Sequence, residues 1–170
     1  MKITLKNIEY SERLSEETSA FSATVYIDGV PAFGVSNHGT GGCDEHYPLK
    51  GQSYEKMRKK LAELEAYAKT LPSEVYQGIT IERSAESLIG NALTEFLLVR
   101  DVKKELAKRT VAKIAGRPRL ASFKVKYSPA VAALLRGPKY NAEVILNELP
   151  IEKAIEMFKA DDELAAAKTV

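Results

Sequence analysis

The residues Phe21 to Val35 constrain the fold of this chain more than any others. Phe21, Ala23, Val25 and Ile27 alternate with Ser22, Thr24 and Tyr26, the period-2 pattern of a strand with one buried face. Asp28-Gly29 follows at once, and this dipeptide favours a two-residue type I′ turn because both central positions need positive φ. The chain is thereby returned along Val30 to Val35 as the second strand of an antiparallel hairpin, with Pro31 marking a strand start or a sheet edge. Ile3 to Tyr10 reads as a preceding strand, joined to the hairpin by the polar, acidic connection Ser11 to Ser19.

Helical periodicity takes over after Pro48. Ser53 is placed to cap a helix from Tyr54 to Thr70, on which Tyr54, Met57, Leu61, Leu64, Ala68 and Leu71 share a face, and Leu71-Pro72 ends it. Val75 to Ile81 reads as one short strand weakened by Gly78. Ser84 caps a second helix whose apolar face is Leu88, Ile89, Ala92, Leu93, Phe96 and Val99. Arg100 and Lys103 project onto that same face, so the buried stripe is expected to stop near Val99 while the helix runs on to Lys113. Gly116 and Pro118 mark its end. Leu120 to Tyr127 reads as a strand with Lys124 and Lys126 opposite Phe123, Val125 and Tyr127. Ser128-Pro129 opens a short helix to Leu135, closed by Gly137-Pro138. A strand over Ala142 to Leu146 and a helix after Pro150, with Ile151, Ala154, Ile155 and Phe158 inward, complete the order, and residues 161–170 are expected to fray. The order fits a single α+β domain over residues 1–160: an N-terminal antiparallel hairpin or meander joined to a mixed sheet, with two longer helices and two short ones.

Composition bounds the rest. A chain of 170 residues, 45% hydrophobic and 28% charged, is that of a globular protein, long enough to bury about 70% of its unfolded surface in one core. No apolar run reaches the length of about 20 residues that a membrane-spanning helix requires, and the longest, Leu88 to Val99, contains Asn91, Thr94 and Glu95. Met1 to Lys6 alternates polar and apolar residues instead of presenting the apolar run of a signal peptide. One cysteine leaves no intrachain disulfide. The expected compartment is the cytoplasm, without membrane contact.

Chemistry is concentrated in Gly34 to Pro48, which holds both histidines, the only cysteine and four of the ten glycines. Asn37, His38, Gly39, Gly41, Gly42, Cys43, Asp44 and His46 are its candidate site residues. The glycines permit backbone N–H groups to approach an anion, but the order Gly-Thr-Gly-Gly-Cys lacks the lysine and the immediate helix start of a phosphate loop. His38, Cys43, Asp44 and His46 are acceptable zinc donors, although no second cluster exists to complete a structural site. A thiolate activated by imidazole is the third chemistry the set allows. The plainer reading is an ordered surface connection whose Asn and Asp side chains cap their own backbone. No catalytic residue, metal or cofactor is assigned.

The net charge of +2 conceals an asymmetry: residues 100–126 carry ten Lys/Arg and two Asp/Glu. Arg100, Lys103, Lys104, Lys108, Arg109, Lys113, Arg117, Arg119, Lys124 and Lys126 would form a positive stripe if helix and strand lie side by side. Such a stripe suits DNA or RNA phosphates, bound through counterion release, or an acidic protein surface. Only Tyr127 interleaves an aromatic ring, and no nucleic-acid-recognition signature occurs.

Three stretches carry a resemblance. Ser15-Glu16-Glu17-Thr18 with Ala23-Thr24-Val25-Tyr26-Ile27-Asp28-Gly29, then Val35-Ser36-Asn37-His38-Gly39-Thr40-Gly41-Gly42, then Val144-Ile145-Leu146-Asn147-Glu148-Leu149-Pro150, are similar to small uncharacterised proteins encoded by tailed phages, prophages and plasmids of proteobacteria. The resemblance implies an accessory gene of a mobile element. Counter-defence inhibition is a common job for such genes. The lack of a convincing catalytic set together with the charge asymmetry makes the leading expectation a non-enzymatic binder of a host or defence-system protein, such as an anti-CRISPR-type inhibitor, with the basic segment or the glycine-rich loop at the interface. Nucleic-acid binding through residues 100–126 and a metal- or thiol-dependent enzyme at residues 36–47 are the alternatives.

Overall fold

A computed structural model describes residues 1–76 and 78–166. The protein is α+β, and its chain gathers into two compact units, Met1–Phe96 and Leu97–Val170. Each unit is built on its own antiparallel sheet.

In the first unit β1 (Ile3–Ser11), β2 (Ala20–Ile27), β3 (Val30–Asn37) and β4 (Glu45–Tyr47) form a four-stranded meander in chain order. Ile27 pairs with Val30 across Asp28-Gly29, whose φ angles of 50° and 81° are those the type I′ turn demands. The alternation read from the sequence is observed: Phe21, Ala23, Val25 and Ile27 are buried, and Ser22, Thr24 and Tyr26 are half-buried. Pro31 sits at the start of β3, ahead of the Gly34–Ser36 stretch that pairs with β4, so its missing N–H leaves no ladder bond unmade on that side. The strand β4 was not anticipated. Its three residues, including His46, lie in what the sequence suggested was one continuous loop over residues 36–47.

The helix α1 (Tyr54–Ala68) begins at Ser53, whose hydroxyl accepts from the Lys56 N–H at 3.2 Å, and buries Met57, Leu64 and Ala68; Tyr54 is exposed. The single strand expected over residues 75–81 is a hairpin of β5 (Glu74–Tyr76) and β6 (Ile79–Ile81), reversing at Gly78, and Val75, Ile79 and Ile81 are exposed. The helix α2 (Ala85–Lys108) opens with reciprocal bonds between Ser84 and Ser87, each side chain accepting from the other's N–H. Ala85, Ile89 and Leu93 of α2 are buried, as are Val25, Phe33 and Val35 of the sheet and Leu64 of α1.

The unit boundary falls within α2, and two expectations fail there. The apolar stripe does not end at Val99. Leu98, Val102 and Leu106 continue it at four-residue spacing but out of phase with Ile89 and Leu93, and pack with Val111, Leu146 and Ala154 of the second unit. A projection carrying one phase along the helix finds Arg100 and Lys103 and misses this second face. The helix also ends at Lys108, not Lys113: Thr110–Ile114 is the central strand β7, flanked by β8 (Leu120–Phe123) and β9 (Ala142–Ile145), both antiparallel to it.

The strand expected to reach Tyr127 stops at Phe123, and Val125 is exposed instead of facing inward, because beyond Phe123 the chain is held by its own turns and by Thr110, whose hydroxyl donates to the Val125 carbonyl at 3.0 Å. The short helix α3 (Pro129–Arg136) has the anticipated Ser128 cap and first-turn proline. The final helix α4 (Ile151–Ala166) buries Ala154 and remains helical from Asp161 to Ala166, where fraying was expected, making it a third long helix. Asp161 explains part of this, since its carboxylate accepts from the Leu120 N–H at 2.7 Å and pairs with Arg119 at 2.9 Å. The remainder of the expected tail, residues 167–170, lies outside the described residues. No helix among the described residues is long and apolar enough to cross a membrane.

Candidate functional site

The glycine-rich stretch is organised by one buried side chain, Asn37 at the end of β3. Its Oδ1 accepts from the Gly39 N–H at 2.9 Å and from the Thr18 hydroxyl at 2.7 Å. Its Nδ2 donates to the Asp44 carboxylate at 3.0 Å and to the Gly42 carbonyl at 3.3 Å. All four bonds of the amide are therefore spent inside the protein, which suits the capping reading of this loop. Gly39 completes the arrangement: its carbonyl accepts from the N–H groups of Glu16, Glu17 and Thr18 at 2.9 to 3.3 Å.

The other candidates of the loop are dispersed. His38 and Cys43 are exposed, and the His38 ring lies 3.8 Å from the Glu45 carboxylate. His46 stands edge-on to Phe33 with ring centroids 5.5 Å apart, and its Nε2 is buried with no partner among the described residues. Among the described residues no three His, Cys, Asp or Glu side chains are arranged to hold a metal ion. What the fold does gather is acidic. Asp44 lies beside Glu86 of the first turn of α2, whose carboxylate accepts the Asp44 N–H at 3.1 Å, and both line a cavity of about 490 Å³ with Glu16, Glu17 and Thr18. Sequence reasoning had treated Ser11 to Ser19 as a mere connection and had not singled out Glu86. The acidic character of residues 16–17 was the only signal available.

Burial raises the Asp44 carboxyl above its ordinary value, the Asn37 amide opposing and Glu86 adding to the rise. Burial lowers His46, opposed by the charges of Asp44 and Glu86. The two have opposite consequences for stability. As pH falls below about 6.5 the unfolded histidine takes up its proton before the folded one, so His46 removes stability from that point until its own folded value is passed. As pH falls further, folded Asp44 protonates ahead of the unfolded carboxyl, and stability is recovered toward about pH 4. Urea unfolding across this range should show the loss below pH 6.5 disappear in His46→Phe and the lower-pH recovery disappear in Asp44→Asn. Unchanged pH profiles in both variants would refute the assignment.

The second candidate lies in the C-terminal unit, which has fifteen Lys/Arg against nine Asp/Glu, a net +6, while residues 1–96 have ten against fourteen, a net −4. Four of the ten predicted cations are committed internally. Arg100 pairs with Asp101 at 2.9 Å and Arg109 with Glu105 at 3.6 Å. Lys113 donates to the carbonyls of Arg117 and Pro118, both at 2.9 Å, and Arg119 is held by Asp161, whose carboxyl stays below its ordinary value despite burial because of these bonds. The side chains of Lys103, Lys104, Lys108, Arg117, Lys124 and Lys126 are exposed and make no ion pair or hydrogen bond with any described residue. The juxtaposition of helix and strand is real at one point: Ser122 of β8 donates to Glu105 of α2 at 2.6 Å. Lys124 and Lys126, however, lie beyond the strand and not on its face.

No protein family, no curated protein and no solved structure matches this chain.

Proposed function

We propose that this protein works by binding a macromolecule and not by catalysis, and that its partner is a host or defence-system protein engaged through the basic face of the C-terminal unit. The observation that carries the reading is the division of the ten cations into four with ion-pair or carbonyl partners and six whose side chains have none among the described residues. Like charges in a unit of net +6 repel one another, whereas an acidic surface would be steered to them and oriented by them. The resemblance to proteins of phages, prophages and plasmids supports the same reading, a counter-defence inhibitor acting in the cytoplasm of the host cell. Nucleic-acid binding through the same cations is the second reading, favoured by charge. Support from stacking is poor, because Phe123 and Tyr127, the aromatics of this stretch, are both half-buried against the core of their unit, Phe123 edge-on to Tyr140 and Tyr127 donating its hydroxyl to Glu148 at 3.1 Å.

The test is a comparison of wild type with a variant carrying Lys103→Glu, Lys104→Glu, Lys108→Glu and Lys124→Glu. All four side chains are exposed, so the circular dichroism melt should be unchanged. Immobilised wild type should retain a protein from nuclease-treated bacterial lysate, and the variant should retain it at least about tenfold less. Equal retention by both would remove the basic face from the mechanism. Labelled duplex and single-stranded oligonucleotides, titrated at low and near-physiological salt, decide the second reading: affinity that falls log-linearly with salt would put nucleic acid first.

A further inference from the structure

We infer that the outward face of α2 from Lys103 to Lys108 seats an acidic α-helix of the partner, laid along α2 with its carboxylates at four-residue spacing; this rests on the binding reading above. On an α-helix, residues 103, 104, 107 and 108 are the corners of one surface cell, and here three corners are lysines and the fourth is Ala107, all exposed. Lys104 and Lys108 lie one turn apart, about 6 Å along the axis, the same repeat at which a partner helix displays Glu or Asp at four-residue spacing. The short Ala107 side chain leaves a gap between the lysine stems into which a side chain of an approaching helix fits.

The acids of the same helix do not compete for these lysines. Glu105 is drawn aside by Ser122 at 2.6 Å and Arg109 at 3.6 Å, and Asp101 by Arg100 at 2.9 Å. A phosphate backbone fits less well. On α2 itself only these three lysines are uncommitted, and Lys113 and Arg119, which would extend the track, are bound by carbonyls and by Asp161, so a duplex would have to recruit Arg117, Lys124 and Lys126 from outside the helix.

The probes are two synthetic alanine-based peptides of about 20 residues with equal numbers of glutamates, one with them at four-residue spacing on one face and the other with them scattered around the helix, together with a DNA duplex. Titrated against the full chain, the one-faced peptide should bind at least about tenfold more tightly than the scattered one and shift the amide resonances of residues 103–108. Ala107→Trp, which keeps every charge but fills the gap, should weaken the one-faced peptide about tenfold. Equal affinity for the two peptides, indifference to Ala107→Trp, or tighter binding of the duplex would overturn the inference. If the triple variant Lys103→Glu, Lys104→Glu, Lys108→Glu still abolishes peptide binding in those cases, the basic-face reading stands without the helix. If that variant binds as well as wild type, both fall.

Discussion

Gly39→Ala will destabilise the protein by about 3 kcal/mol. Gly39 is buried at φ +87°, where an L-residue costs about 1 to 2 kcal/mol. The added Cβ would also meet the Leu14 carbonyl oxygen and lie 2.8 Å from the Ala20 Cβ, so backbone must shift, at a further cost of about 1 to 3 kcal/mol. That shift disturbs the three N–H groups of Glu16 to Thr18 that converge on the Gly39 carbonyl. Gly42→Ala is the control. Gly42 has a similar φ of +98° but open space where the Cβ would go, so only the backbone cost of about 1 to 2 kcal/mol applies. Urea midpoints measure both; equal midpoints for the two variants would show that the clash at Leu14 does not exist.

Asn147→Leu is expected to cost about as much in the C-terminal unit. The Asn147 amide donates to the carbonyls of Leu106 and Arg109, at 2.9 and 2.8 Å, and accepts from the Val111 N–H at 2.9 Å. It thus caps the C-terminus of α2 and starts β7 with one side chain. Leucine has nearly the same shape and leaves three backbone groups without partners, each worth about 1 kcal/mol, for a total near 3 kcal/mol. Denaturant unfolding gives the total, and hydrogen exchange at the Val111 amide reports the local bond. A loss below about 1 kcal/mol with normal Val111 protection would mean that the amide is not what joins helix and strand.

Asn147 also shows why part of the fold was hidden from sequence reasoning. Thr110–Ile114 continues a helical pattern plausibly enough; what ends the helix is a side chain 38 residues after Arg109 and pairing with β8 and β9. The strand β4 was invisible for a similar reason, since Glu45-His46-Tyr47 has no strand signature of its own and exists by its ladder to Gly34–Ser36. Elements with their own signals were legible: Ser53 and Ser128 cap α1 and α3 through bonds three residues away, and Asp28-Gly29 turns β2 into β3. Of the candidate site, the loop's ordered, self-capped nature could be read from Asn and Gly content, but the acidic cavity could not, because Glu16, Asp44 and Glu86 come from three separate segments.

The amino-acid sequence by itself determined the α+β class, the hairpin, the helix starts and the concentration of positive charge at residues 100–126, because each depends on interactions between residues within a few positions of one another. Only the tertiary structure decided which charges are available. Lys103 and Arg119 are alike as sequence, both cations in a basic run; one extends into solvent and the other is held at 2.9 Å by Asp161, 42 positions away. Availability of a charge depends on its neighbours in space: for Glu105 of α2 the neighbour comes from β8, and for Arg119, between β7 and β8, it comes from α4.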